Sequence, residues 1–331
     1  MKTPNSSEDL PFWAEEDSTT PPERKTILLA GELPSVVDQL SDPALLHSDM
    51  TVGVRNGQQW SDVYQVTERE VAEDFADFLA KARTVAQDDE SQEGQQALIQ
   101  IDRLAQTPFL SAEARRRAIA GIADHYAQEL QDNPTKHVFF YVDPRYLHKS
   151  PDLISRELVD VVAGHGQGMA ERVHRTTLFN EEALEEIKQL KPEDFRFLLS
   201  DDWLINASQM REQINRVVHL FKENKLEEYI PAIEIALVVA RKDQLENGPY
   251  MANIQHLEDR HGISPIPMLA YYYAPEAQPF SGPLTTGSHS AADRGFSEVV
   301  GEVRRYAIER TGRNVERPLI TEIPKRYDYA H

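Results

Sequence analysis

Apolar positions follow two alternating patterns between about residues 115 and 275. Short, nearly continuous apolar runs of strand length alternate with longer segments in which apolar residues recur every three or four positions. The first pattern is typical of strands buried on both faces, and the second is typical of amphipathic helices. The predicted strands are His137–Val142, Arg172–Phe179, Phe195–Ser200, Ala232–Ala240 and Pro267–Tyr273.

Helices are predicted before and between these strands. Thr67 and Glu70 have the spacing of a capping box and predict a further helix start ahead of this region. Strand and helix alternate five times, which predicts an α/β fold with a mostly parallel central sheet flanked by helices. The predicted helices of this region are Ser111–Leu130, Asp152–Val162, Glu181–Leu190, Ser208–Lys222 and Tyr250–His261.

The segments on either side of this region have other patterns. Residues 1–24 are rich in Ser, Thr, Pro and acidic residues, which predicts a disordered acidic tail. Residues 25–114 are predicted to form a mainly helical N-terminal region that opens with a buried strand at Thr26–Gly31. Residues 276–331 are predicted to form a loop, an amphipathic helix over Phe296–Arg310 and a tail.

Composition narrows the class of protein. The 331 residues are 40% hydrophobic and 27% charged, as in soluble globular proteins, and their formal net charge of −20 disfavours binding to nucleic acid or anionic membranes. The chain has no apolar run of about 18 residues and no N-terminal secretory pattern. Cysteine is absent, which excludes disulfides, thiol nucleophiles and cysteine-based metal sites. We therefore expect a cytoplasmic protein.

Two adjacent carboxylates, Asp201 and Asp202, directly follow the predicted strand Phe195–Ser200, and a short polar turn then leads into a predicted helix. In an open α/β sheet, ligands bind at the carboxyl ends of the strands, and helix N-termini attract anions there. Paired acids beside such a site favour a sugar-phosphate or Mg²⁺-phosphate ligand. A solvated turn with an ordinary helix cap is the alternative interpretation of these residues.

The segment Asp201–Gln209 resembles the ribose-phosphate loop of type I phosphoribosyltransferases. In that family, two acids end a strand, three loosely specified positions follow, and Thr-Gly-x-Thr opens a helix. The resemblance extends over about residues 115–275, which would form a phosphoribosyltransferase-like α/β core. The four positions that correspond to Thr-Gly-x-Thr are occupied here by Asn206, Ala207, Ser208 and Gln209.

The resemblance implies a nucleotide-binding transferase with Asp201 and Asp202 as catalytic residues. They would hold the ribose and, indirectly, a Mg²⁺ ion, while residues 206–209 would bind the 5′-phosphate of a phosphorylated ribose or nucleotide. Ala207 and its neighbours depart from the glycine and hydroxyl residues of the family. The alternative is therefore an inactive protein of the same fold that acts as a ligand sensor or binds a protein partner.

A basic segment, Asp143–Ser150, joins the first predicted strand of the core to its helix. The family's pyrophosphate loop lies at a comparable place, so the resemblance implies that Arg145, Lys149 and Ser150 receive a diphosphate, with Lys149 among the catalytic residues. Arginine binds phosphate through paired hydrogen bonds, and lysine acts as a point charge. A proline-bounded surface turn is the alternative interpretation.

A glycine-containing loop over Ser281–Gly295 gathers hydroxyl groups, a histidine and a charged pair. Loops of this composition often carry function, so we predict a lid over the edge of the sheet. A flexible connector is the alternative interpretation, and an unrelated α/β hydrolase that uses this loop is a further one. The candidate lid residues are Thr286, Ser288, His289 and Asp293.

The histidines have no spacing typical of a metal site. His165 and His174 lie in different predicted elements, and His256 and His261 are five positions apart, on different faces of one predicted helix. The sequence therefore does not favour a histidine-based metal centre.

Overall fold

The computed structural model of this chain describes residues 27–56, 59–147, 150–176, 181–204, 208–243, 259, 268–277 and 291–322. Its strands are β1 (Ile27–Glu32), β2 (Asp49–Asn56), β3 (Gln59–Thr67), β4 (His137–Tyr141), β5 (Val173–Thr176), β6 (Phe195–Leu204), β7 (Ile233–Arg241) and β8 (Met268–Tyr273). Its helices are α1 (Glu68–Gln87), α2 (Gln92–Ala105), α3 (Ala112–Asp132), α4 (Ser150–Gly164), α5 (Glu181–Gln189), α6 (Ser208–Glu223) and α7 (Ala291–Thr311).

Within these ranges, six strands form one sheet in the order β1-β8-β7-β6-β4-β5. Every neighbouring pair in this sheet is parallel, which confirms the predicted α/β fold with a parallel central sheet. Strands β2 and β3 form a separate antiparallel hairpin. The predicted tail over residues 1–24 lies outside the described residues, as does the predicted helix Tyr250–His261 apart from residue 259.

The strand predicted at Thr26–Gly31 is β1, and it lies at the edge of the sheet beside β8. The sheet therefore includes a strand from the segment that we assigned to the N-terminal region. The paired residues Ile27 of β1 and Met268 of β8 are 241 positions apart, so no local pattern could indicate this pairing.

Helices cover both faces of the sheet, which explains why its strands are apolar throughout. On β4, Val138 and Phe140 pack in a core with α3 and α4. The alternate residues, Phe139 and Tyr141, pack in a second core with α5 and α6. Successive side chains of a strand point to opposite faces, so each strand supplies both cores at once.

A third core joins the two ends of the described chain. Helices α1 and α2 pack against α7, and the rings of Phe75 and Phe296 lie 5.9 Å apart between centroids. The capping box predicted before α1 is confirmed, because the Glu70 amide donates to Thr67 Oγ1 at 3.2 Å and the Thr67 amide donates to Glu70 Oε2 at 2.7 Å.

Glu68, the first residue of α1, should make stability pH-dependent. Its side chain is buried and accepts a hydrogen bond from the Ala112 amide at 2.8 Å. Burial raises the pKa of Glu68 despite that hydrogen bond. The folded state therefore holds this proton to higher pH than the unfolded state does, and the contribution to stability is lost as pH rises from about 4.3 through the folded-state pKa.

The variant Glu68→Gln removes this titration and retains an acceptor for Ala112. We expect the free energy of unfolding of the wild type to fall relative to that of the variant as pH rises through this window. Urea unfolding of both proteins between pH 4 and 7 measures the difference. A difference that stays constant over this range would contradict the assignment.

Candidate functional site

The order of the strands creates a switch point between β4 and β6. The chain leaves β4 through α4 to reach β5 on one side, and it later returns to the other side of β4 as β6. Helices α4 and α6, which follow β4 and β6, consequently cover opposite faces of the sheet. A crevice opens at the carboxyl ends of two such strands, and ligands of open α/β sheets bind there.

The carboxylates of the predicted ribose-phosphate loop lie within β6 rather than in a turn after it. The strand predicted to end at Ser200 continues to Leu204, because its backbone keeps pairing with β7 from Asp201 onward. Phe197 and Leu199 pack on the α6 side of the sheet, and the buried Asp201 is the next residue of that alternation. Asp201 therefore belongs to the α6 side of the sheet.

The rest of this loop is described only in part. Asp202 is a backbone position of β6, and Ser208 and Gln209 are the first two residues of α6. The side chains of these three residues are outside the described part of the structure, as are Asn206 and Ala207 entirely.

The loop after β4 is organised around the fully buried carboxylate of Asp143. Its oxygens accept hydrogen bonds from Arg145, at 3.0 Å from the amide, 3.0 Å from Nε and 2.8 Å from Nη2. Arg216 of α6 approaches the same carboxylate, with Nη1 at 3.3 Å from Oδ1. Arg145 also bonds Glu212 of α6. Arg145, which we predicted to bind a diphosphate, therefore forms ion pairs with two carboxylates, Asp143 and Glu212. The ion pair with Glu212 connects the loop to α6.

Charge keeps Asp143 ionised. Burial alone would raise the pKa of this carboxyl group, but the hydrogen bonds from Arg145 and the charges of Arg145 and Arg216 outweigh burial, and the pKa is lowered. The pKa of the neighbouring Tyr141 is shifted in the opposite direction. Burial, together with the negative charge of Asp143, raises the pKa of its hydroxyl to about 12.

A second buried carboxylate lies on the α4 side. Asp152, in the first turn of α4, is fully buried and accepts hydrogen bonds from Arg156 Nε at 3.2 Å and from Nη2 at 3.0 Å. It also forms an ion pair with Arg175 of β5. Each face at the end of β4 therefore has one buried aspartate that holds two arginines. Asp152 is not among the predicted site residues, although its i, i+4 spacing to Arg156 is a sequence signal for such a pair.

Among the buried polar groups that have no hydrogen-bond partner within the described ranges, one lies on β6 and one on α6. They are the Ser200 hydroxyl on β6 and the Gln213 amide nitrogen on α6, and both residues are 2% exposed. Such groups are costly unless a ligand, water or another protein group satisfies them. Gln213 follows Met210 by three positions on the face of α6 that packs on the sheet. A glutamine on an otherwise apolar helix face is the sequence feature that could have indicated this buried polar group.

The other predicted site residues lie wholly or partly outside the described part of the structure. Lys149, Thr286, Ser288 and His289 lie outside the described residues. Ser150 begins α4 and Asp293 lies in the first turn of α7, and the side chains of both are likewise not described.

A magnesium ion fits part of this residue set. Mg²⁺ prefers carboxylate oxygens and usually binds one or two of them together with water and phosphate. Asp201, three residues before the end of β6, is a carboxylate of this kind. The Asp143 carboxylate is held by two guanidinium groups. Within the described part of the chain, three potential metal ligands converge at His137, His174 and Glu186, which lie in a different part of the sheet.

No helix among the described residues has the length and apolarity required to cross a membrane. We compared the chain with protein-family models, with curated proteins and with solved structures, and none of the three comparisons produced a match.

Proposed function

We propose that the crevice between β4 and β6 binds a phosphorylated ribose or a nucleotide. One observation carries the proposal. The switch point of a parallel sheet brings the buried Asp201, in the carboxyl-terminal half of β6, to the same side as the Asp143–Arg145–Arg216 cluster after β4. Acceptors suited to sugar hydroxyls and donors suited to phosphate thereby lie at the place where α/β sheets bind ligands.

Arg216 is the residue best suited to meet the phosphate. Its guanidinium bonds Asp143 through Nη1, and 42% of its side chain is exposed. A guanidinium has five N–H donors in a fixed plane and binds phosphate through paired hydrogen bonds. Asp143 fixes the orientation of this group before a ligand arrives, which reduces the entropy lost on binding. The N-terminus of α6 adds main-chain donors and a favourable dipole.

Asp201 would accept hydrogen bonds from the ribose or bind it through Mg²⁺ and water, as the resemblance to phosphoribosyltransferases implies. In a catalysed transfer, the bond from ribose C1 to diphosphate would break as the acceptor forms its own bond to C1. Mg²⁺ would neutralise charge on the diphosphate, and Arg145 with Lys149 would add to that neutralisation.

A binding protein without turnover is the second candidate, and one contact favours it. Arg145 already bonds both Asp143 and Glu212, which diminishes its ability to stabilise a leaving diphosphate. Ala207 in place of the family's glycine points in the same direction. Release of diphosphate from phosphoribosyl pyrophosphate in the presence of nucleobases separates the two candidates.

The variant Arg216→Gln tests the phosphate contact. We expect about tenfold weaker binding of ribose 5-phosphate, because a hydrogen bond to a charged group contributes about 1.5 kcal/mol or more. Calorimetric titration measures the affinity. Ribose without phosphate should bind the wild type and the variant equally weakly.

Arg83→Gln is the matched control for this variant. Arg83 also forms an ion pair, with Asp102 at 2.5 Å and comparable exposure, but it lies on α1, remote from the sheet. The control should retain wild-type affinity. Equal affinities for all three proteins would remove Arg216 from the phosphate site.

A further inference from the structure

Two histidines and a glutamate form a compact cluster at the amino-terminal side of the sheet. His137 begins β4, His174 lies on the edge strand β5, and Glu186 lies on α5. His137 Nδ1 is 2.9 Å from His174 Nε2, and His174 Nδ1 is 3.3 Å from Glu186 Oε1. We propose that these three residues form a binding site for a divalent metal ion of the zinc class.

The geometry fits such an ion. One nitrogen from each ring and one carboxylate oxygen lie within 4.8 Å of one another. Zinc bonds of about 2.0–2.1 Å in a tetrahedral arrangement separate neighbouring ligand atoms by about 3.3 Å. The histidine nitrogens need to move apart by only a few tenths of an ångström. Glu186 contacts Nδ1 of His174, whereas His137 contacts Nε2, so the Glu186 side chain, which is 41% exposed, would reorient toward an ion bound at Nε2.

The chemistry of the donors selects the metal class. Two imidazoles and one carboxylate are a zinc ligand set that leaves the fourth position for water or another ligand, and imidazole suits neighbouring first-row metals as well. Magnesium and calcium prefer oxygen donors, so the cluster differs in kind from the Mg²⁺ site proposed above. The partial exposure of Glu186 provides the ion with a route from solvent.

A neighbouring aromatic ring fixes the orientation of one of the two histidines. The His174 ring stacks on Phe139, with centroids 4.4 Å apart and an interplanar angle of 15°, which fixes the ring against the sheet.

This site is separate from the proposed ribose-phosphate site. His137 and Asp143 lie at opposite ends of the β4 segment, six positions apart, which corresponds to about 20 Å of extended chain. A bound ion would connect the edge strand β5 to α5 and β4, and it would thereby stabilise this side of the sheet. Failure of one proposal leaves the other unaffected.

The test is a titration of the tag-free, full-length, metal-stripped protein with Zn²⁺ alone, followed by Co²⁺ as a spectroscopic probe. We expect one equivalent to bind with micromolar or tighter affinity, a visible Co²⁺ spectrum typical of nitrogen and oxygen ligands, and a Zn²⁺-dependent rise in the melting temperature. Glu186→Gln should weaken Zn²⁺ binding at least tenfold and abolish the thermal shift.

Glu186 is the informative position because its partly exposed side chain can change without disturbing the core. His137→Gln should behave in the same way as Glu186→Gln. His165→Gln is the control, since His165 pairs with a single carboxylate, Asp124, at 2.7 Å. Absence of Zn²⁺ binding by the folded wild type would overturn the proposal, as would unchanged stoichiometry and affinity in both ligand variants. The cluster would then be a hydrogen-bonded structural element.

Discussion

Replacing Asp143 with asparagine is expected to lower the free energy of unfolding by about 2 kcal/mol at pH 7 and to weaken ligand binding in the same protein. The fully buried carboxylate accepts three hydrogen bonds from Arg145 and one from Arg216. An amide of the same shape keeps one acceptor, but it opposes the guanidinium groups with an N–H donor. Both arginines would then lose the orientation on which phosphate binding depends.

The pH dependence of this loss has a definite sign. Because the pKa of Asp143 is lowered in the folded protein, its contribution is fully present above the unfolded-state pKa of about 3.9. The contribution disappears as pH falls through the folded-state value. Urea unfolding of the wild type and Asp143→Asn should therefore give a constant difference from pH 7 down to about pH 5 and a shrinking difference below about pH 4.

Asp102→Asn is the matched control for Asp143→Asn. Asp102 also pairs with an arginine, Arg83, but both side chains are largely exposed to solvent. Exposed pairs of this kind contribute about 1 kcal/mol or less, so the control should change stability little at any pH. A comparable loss of stability in both variants would contradict the structural role assigned to Asp143.

The double variant Asp201→Asn with Asp202→Asn is expected to weaken binding of phosphoribosyl pyrophosphate at least 30-fold in the presence of Mg²⁺. The proposed function assigns these carboxylates to the ribose hydroxyls and the metal, and a 30-fold change corresponds to about 2 kcal/mol, the contribution of one or two hydrogen bonds to a charged group. In EDTA, the difference between the two proteins should become smaller because the metal contribution is gone from both.

Measurements of folding are needed to separate an effect of these substitutions on binding from an effect on stability. Asp201 is buried within β6, so its replacement can affect stability as well as the ligand. The melting temperature and the far-ultraviolet circular dichroism of each variant therefore accompany the titrations. Folded double-variant protein with wild-type affinity would show that the carboxylates do not contact the ligand.

The fold was predictable where burial leaves a local signature. The apolar residues of β4, β6 and β7 are continuous because helices cover both faces of the sheet, and that continuity is visible in the sequence. The end of β6 was misjudged because charged residues usually end a strand. Here the pairing of residues 201–204 with β7, a tertiary interaction, extends it.

The site was predictable only in its position along the chain. The sequence analysis located Arg145 and Asp201 at strand ends, but the partners of Arg145 include Glu212, which is 67 positions away on α6. His137 and His174 are 37 positions apart and meet only because β4 and β5 are neighbours in register. Contacts of this kind depend on the order of the strands, and spacing along the chain does not reveal that order.

The most direct test of the central claim is a calorimetric titration of the wild-type protein with phosphoribosyl pyrophosphate and with nucleoside monophosphates, in Mg²⁺ and in EDTA. The account predicts micromolar binding of at least one of these ligands, and it predicts that Arg216→Gln and the Asp201/Asp202 double variant weaken that binding. A folded protein that binds none of them under either condition would contradict a ribose-phosphate site in the crevice between β4 and β6.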